Sequence, residues 1–175
     1  EKRGWLIHEP NPYGNLTLGE HLVYDRADFK VSLNIPEEEP RIIIAASASP
    51  VREGSTWFYQ AENMRNFTWS ASPDYEVVRT SWNQVTIESY YFPGQSKAAR
   101  DGLEVIKDSL EVYSEIFGPY PHAYLSMVEG EFPDGAEFEG LFFLSSFYYQ
   151  TYDGTPFNYF TILTAHETAH QWWYG

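Results

Sequence analysis

Residues 155–175 read TPFNYFTILTAHETAHQWWYG, and within them His166-Glu167-Thr168-Ala169-His170 decides how the chain is to be understood. Histidines at i and i+4 project from one helical face about one turn apart, a separation that suits two ligands of a tetrahedral metal. The glutamate between them is the residue type for a general base acting on a water polarised by that metal, so the pattern points to hydrolysis. With only five histidines in the chain, composition alone rarely produces it. The bland alternative is a helix with two surface or capping histidines and an incidental glutamate. Thr155-Pro156 supplies an N-cap and a first helical residue, and Tyr159, Leu163, His166 and His170 then share one stripe, so the motif is expected on a helix running from Pro156. A catalytic zinc takes three protein ligands and a water. Too little chain follows His170 for another helix to return, so the third ligand is expected upstream or beyond Gly175. Trp173 stands where a metzincin requires glycine, which excludes that class.

Working outward from this helix, Leu103, Ile106, Leu110, Tyr113 and Phe117 recur at helical spacing, with Ser96 as a cap and Gly118-Pro119 as a stop; Lys97 to Phe117 is expected to be an amphipathic helix. Between the two helices, Ala123 to Val128 and Phe138 to Leu144 read as strands joined by an acidic, glycine-containing loop. Upstream, Phe29, Val31, Leu33 and Ile35 alternate with polar residues, the period of a strand with one buried face. Arg41 to Ala46, Thr56 to Gln60, Asn66 to Ala71 and Val85 to Phe92 are further strands, separated by Pro-, Gly-, Asn- and Ser-rich turns. The expected fold class is α+β: an antiparallel β-rich part over residues 1–95, sandwich or open sheet, followed by a part over 96–175 made of a helix, a small antiparallel sheet and the metal-motif helix.

The 175 residues contain no cysteine, which rules out disulfides and zinc thiolate sites. No apolar run approaches the roughly 18 residues of a membrane span. A formal charge of −14 argues against nucleic-acid backbones as partners. Glu37-Glu38-Glu39 reads as a solvated turn. Sequons at Asn15 and Asn66 carry little weight by themselves. His8, His21 and His122 are isolated in sequence and read as surface or hydrogen-bonded structural histidines.

His166-Glu167-Thr168-Ala169-His170-Gln171-Trp172 resembles the zinc helix of the gluzincin aminopeptidases typified by membrane alanyl aminopeptidase, His-Glu-x-x-His-x-Trp. Upstream, Asp134-Gly135-Ala136-Glu137-Phe138-Glu139-Gly140-Leu141-Phe142-Phe143 resembles that family's Gly-x-Met-Glu-Asn cleft strand, in the variant where Met-Glu precedes an aromatic and then Gly-Leu. Phe117-Gly118-Pro119-Tyr120-Pro121 is similar to the connection leading to the cleft strand, and the β-rich part to the later portion of the family's N-terminal saddle domain. The resemblance implies a thermolysin-like catalytic domain with zinc as cofactor, His166 and His170 as metal ligands and Glu167 as general base. It also implies Gly135 and Ala136 as backbone contacts to substrate, Glu137 as anchor of the substrate α-amino group, and peptides with a free N-terminus as partners. Ala136 replaces the family's methionine. A register shift would give Glu139 the anchoring role instead; only Glu137 lets Gly140-Leu141 match. The family's third zinc ligand, a glutamate on the following helix, and its oxyanion-stabilising tyrosine would both fall beyond Gly175. The chain is therefore expected to be an internal piece of a larger zinc aminopeptidase, with little peptidase activity alone.

Physical chemistry agrees with an acid at this place. A carboxylate at the end of a cleft pairs with a substrate ammonium and sets the first peptide bond over the metal. An open strand edge binds peptide main chain while tolerating varied side chains. Two other classes stay open on sequence alone. One is a non-catalytic relative acting as a scaffold or protein-recognition module. The other is a carbohydrate-binding β-module, suggested by six Trp and fourteen Tyr, although aromatics are equally the filling of a β core. Tyr148, Tyr149 and Tyr152 are candidates either for the cleft or for the core.

Overall fold

In a computed structural model, residues 24–173 are described; His8, His21 and the Asn15 sequon lie outside them. The described chain is α+β, with ten strands and three helices. Alternating residues form β1 (Ala27–Asn34), which pairs antiparallel with β4 (Thr56–Met64), itself paired with β3 (Pro50–Glu53). A separate antiparallel pair joins β2 (Ile43–Ala46) to β5 (Trp69–Ser72). Ile44, Ala46 and Tyr59 bury their side chains together, and Val31 and Leu33 of β1 cover them.

A five-stranded sheet carries the rest, in the order β6-β7-β8-β10-β9. Its strands are β6 (Glu76–Trp82), β7 (Val85–Tyr91), β8 (Tyr124–Gly130), β9 (Gly135–Phe138) and β10 (Leu141–Ser145). The antiparallel expectation needs correction here. The β7–β8 pair is parallel because α1 (Ser96–Phe117) crosses over between them, and the β8–β10 pair is parallel because the chain first runs back along β9, antiparallel to β10, before it enters β10. The compositional boundary near residue 95 also falls inside this sheet: two of its strands precede it and three follow, so the hydrogen-bonded ladder runs across it.

Both faces of the sheet are covered, so its central strands read as near-continuous apolar runs. Leu125, Met127, Phe142 and Leu144 face Ile106 and Leu110 of α1 and Phe160 of the last helix. Val128 and Leu141 face the opposite way, toward Ala45, Tyr75 and Tyr90. Gly118 ends α1 at φ +100°, its N–H donating to Ser114 O at 3.2 Å. The N-terminal expectation fails: Gln95 is the N-cap and makes no side-chain cap bond, while the Ser96 hydroxyl accepts from Arg100.

Three further corrections concern the segments around the motif. The strand expected over Phe138–Leu144 is two strands, β9 and β10, folded back on each other around Glu139-Gly140, with Gly140 at φ +77°. The turn falls at Glu139-Gly140, directly ahead of the apolar run Leu141 to Leu144, and its one sequence signal is the glycine. A short helix, α2 (Ser146–Gln150), follows β10, and β3, β6 and α2 all lack the periodicity that would announce them. Finally α3 runs Tyr159–Trp173, not from Pro156; the Asn158 side chain accepts from the Phe160 N–H at 2.9 Å, the bond expected of an N-cap, and Thr155 turns on Asp153 instead.

Candidate functional site

Helix α3 buries Phe160, Leu163, Thr164, Glu167, Thr168 and Gln171 on one face. The expected stripe of Tyr159, Leu163, His166 and His170 is therefore not the buried one: Tyr159 is 52% exposed and His166 is exposed. Four of the six buried residues are polar, and each needs an internal partner. Thr164 and Thr168 donate to the carbonyls four residues back, Phe160 O and Thr164 O, both at 2.7 Å. Gln171 bridges to the β9–β10 turn. At the far side Trp172 donates its indole N–H to Gly118 O at 2.8 Å, fastening α3 to the end of α1.

Glu167 is the exception. It is 3% exposed, and its Oε2 meets no hydrogen-bond partner among the described residues. Burial first, then the nearby charges of Glu137 and Asp134, push its pKa up to about 8. It sits against Gly135 of the edge strand. A Cβ at position 135 would meet Oε1 and stand 2.8 Å from Cδ and 3.3 Å from Cγ, so a glycine is what allows strand and helix to approach.

On the same helix His166 and His170 turn toward each other, with Nε2 atoms 3.1 Å apart and ring planes at 84°. Two nitrogens of a tetrahedral zinc at bond lengths near 2.05 Å stand about 3.3 Å apart, so the pair is spaced as such ligands would be. Glu137 reaches in from β9, its Oε1 3.4 Å from His170 Nε2. Ligand atoms of Glu137, Glu167 and His170 lie within 4.8 Å of one another. Imidazole and carboxylate are donors that suit zinc.

Glu137 and Glu139, the two acids open to the amine-anchoring role, separate clearly in space. Glu137 faces the histidines. Glu139 is 4% exposed and points away: its Oε1 is 3.0 Å from both Arg26 Nη1 and His122 Nε2, and its Oε2 accepts the Arg65 N–H at 2.6 Å. Burial alone would raise its pKa, but His122, the Arg65 amide and Arg26 outweigh this and hold it below the usual carboxylate range. His122 is thus a hydrogen-bonded structural histidine. Gly135, Ala136 and Glu137 all lie on β9, which among the described residues is an edge strand with β10 as its one sheet neighbour.

Of the three tyrosines, only Tyr148 reaches this region, donating to Asp134 Oδ1 at 3.2 Å and packing on Tyr159. Tyr149 is core, against Phe160, and Tyr152 donates to Asp101 on α1. Sequence reasoning missed Asp134 and Gln171. Asp134 sits at φ +69° immediately before β9, a backbone setting that aspartate tolerates better than most residues. Gln171 offered one signal, its place four residues after Glu167 on the same helical face.

No family model matches the chain, and no curated protein aligns significantly with it.

Proposed function

We propose that this chain carries the zinc site of a metallopeptidase of the gluzincin aminopeptidase type, within a thermolysin-like domain. The observation that carries the proposal is the meeting of two elements: a helix bearing His166, Glu167 and His170, and an open edge strand bearing Gly135 and Glu137. His166 and His170 would hold zinc. When bound, the ion supplies Lewis acidity toward a water and a peptide carbonyl. Glu167 accepts the proton of the attacking water at its carboxylate and returns it to the departing amine. The peptide lies along the free edge of β9, its main chain extending the sheet. Glu137 receives the substrate ammonium, which favours removal of N-terminal residues over internal cleavage.

The test is hydrolysis of an amino-acid p-nitroanilide by the native protein with zinc, comparing the free amine with its N-acetylated form and with Glu167→Gln. Cleavage of the free amine alone, abolished in the variant, is expected. Cleavage of neither would make the site a non-catalytic scaffold; cleavage of both would keep the metal chemistry and remove the amine anchor. Glu137→Gln divides that residue's roles: an anchor raises KM with zinc affinity intact, whereas a metal ligand loses zinc.

A further inference from the structure

Strand β9 depends on few neighbours. It pairs with β10 over four residues, Gly135 to Phe138, and among the described residues no strand lies on its other side. Besides the packing of Gly135 on Glu167 and the approach of Glu137 to His170, α3 reaches the backbone here through Gln171, 7% exposed, whose Oε1 accepts the Gly140 N–H at 2.9 Å while Nε2 donates to Phe138 O at 3.0 Å. One side-chain amide thus satisfies a donor and an acceptor on either side of the Glu139-Gly140 turn, much as a neighbouring strand would.

The turn itself is held from behind. Glu139 is fixed by Arg26, His122 and the Arg65 N–H, and the Glu139 N–H donates to Asn66 Oδ1 at 3.3 Å. Gly140 presses on the β2–β3 connection, where a Cβ would come within 2.6 Å of Ser47 O, and its carbonyl accepts the Ser126 N–H at 3.0 Å. The turn is a fixed point, and Gln171 is the strut between it and the helix. Gln171 follows His170 directly and lies one helical turn past Glu167, while Phe138 follows Glu137. Each end of the strut is therefore one residue from a proposed site group.

We propose that Gln171 is a positioning residue, setting the gap between the edge strand with Gly135 and Glu137 and the helix with His166, Glu167 and His170. The inference rests on the aminopeptidase reading for its functional consequence but not for its geometry. Gln171 touches no reacting atom; it fixes where the ammonium anchor stands relative to the metal ligands. Removing it leaves β9 paired with β10 yet free to swing from α3, which weakens the anchor while the two histidines keep their helical spacing.

Two variants of the native protein test this. Gln171→Met keeps length and apolar bulk but removes both hydrogen bonds; Gln171→Glu keeps the acceptor for Gly140 and loses the donor to Phe138. In Gln171→Met, hydrogen exchange at the Gly140 amide is expected to quicken by about tenfold or more, with the β7–β8 ladder amides unchanged. Gln171→Glu should leave Gly140 protected. For a free-amine p-nitroanilide, KM should rise by about tenfold in Gln171→Met with kcat and zinc affinity essentially unchanged, and Gln171→Glu should fall between it and the native protein. Unaltered Gly140 exchange overturns the proposal, as does equal quickening across the core, which would make Gln171 merely stabilising. A fall in kcat with KM intact also overturns it. If the native protein hydrolyses neither substrate, the aminopeptidase reading fails separately, and the exchange result alone decides whether Gln171 holds β9 to α3.

Discussion

Replacing Gly135 by alanine places one methyl group between the edge strand and the motif helix. The new carbon would stand 2.8 Å from Glu167 Cδ and 3.3 Å from Cγ, so rotating the terminal carboxylate does not clear it. A retreat of roughly 1 Å by the whole side-chain end is needed to restore ordinary carbon contacts. Glu167 is 3% exposed, so the retreat is made inside the protein and not into solvent. Overpacking of this kind costs about 1–3 kcal/mol; here the lower half is expected, since a side chain yields rather than backbone. The assay is a denaturant double-mutant cycle over Gly135→Ala and Glu167→Ala. With the carboxylate gone the methyl has space, and a coupling of about 1–2 kcal/mol should appear. A reactive group misplaced by about 1 Å also loses on the order of a hundredfold in rate, so any hydrolysis should fall far more than stability does. Equal destabilisation by Gly135→Ala in both backgrounds would refute the reasoning, because the glycine would then serve something other than close approach to Glu167.

Two further outcomes are expected elsewhere. Glu139 has a folded-state pKa below its ordinary value, so its stabilising effect is complete above the ordinary carboxylate range and is lost as pH falls through the depressed value. Glu139→Gln should cost about 3 kcal/mol at neutral pH, with the gap to the native protein closing in acid; parallel stability curves across the acid range would exclude this role. Trp172→Phe keeps aromatic packing near Tyr113 and Tyr120 but removes the donor to Gly118 O, at a cost of about 1–2 kcal/mol by chemical denaturation. An unchanged midpoint would show that this bond does not join α3 to α1.

The buried polar face of α3 ties these expectations together. A helix filled with threonine, glutamate and glutamine on its inner side can pack only where each polar group finds a partner. The threonines use their own backbone, Gln171 uses the turn, and Glu167 lays Oε1 against Gly135 while its Oε2 has no hydrogen-bond partner among the described residues. The same face that docks the helix also presents the general-base candidate, so stability and chemistry share residues here.

Sequence alone determined what depends on local spacing. The i, i+4 histidines lie together because the helix repeat puts them there, α1 follows its apolar period, and β1 follows its alternation. The α+β class follows from that order of elements. Tertiary structure decided what depends on partners distant in the chain. The β9–β10 turn depends on contacts made far along the chain, since Glu139 is held by Arg26, Arg65 and His122 and Gly140 by Gln171, and locally a single glycine marks it. The parallel β7–β8 pair is a property of the α1 crossover, and no single strand announces it. Above all, Glu137 and Glu139 have the same chemistry two residues apart. The fold directs one to His170 and surrounds the other with Arg26, His122 and the Arg65 amide, because neighbours on a strand are displaced by a turn and packed against different elements.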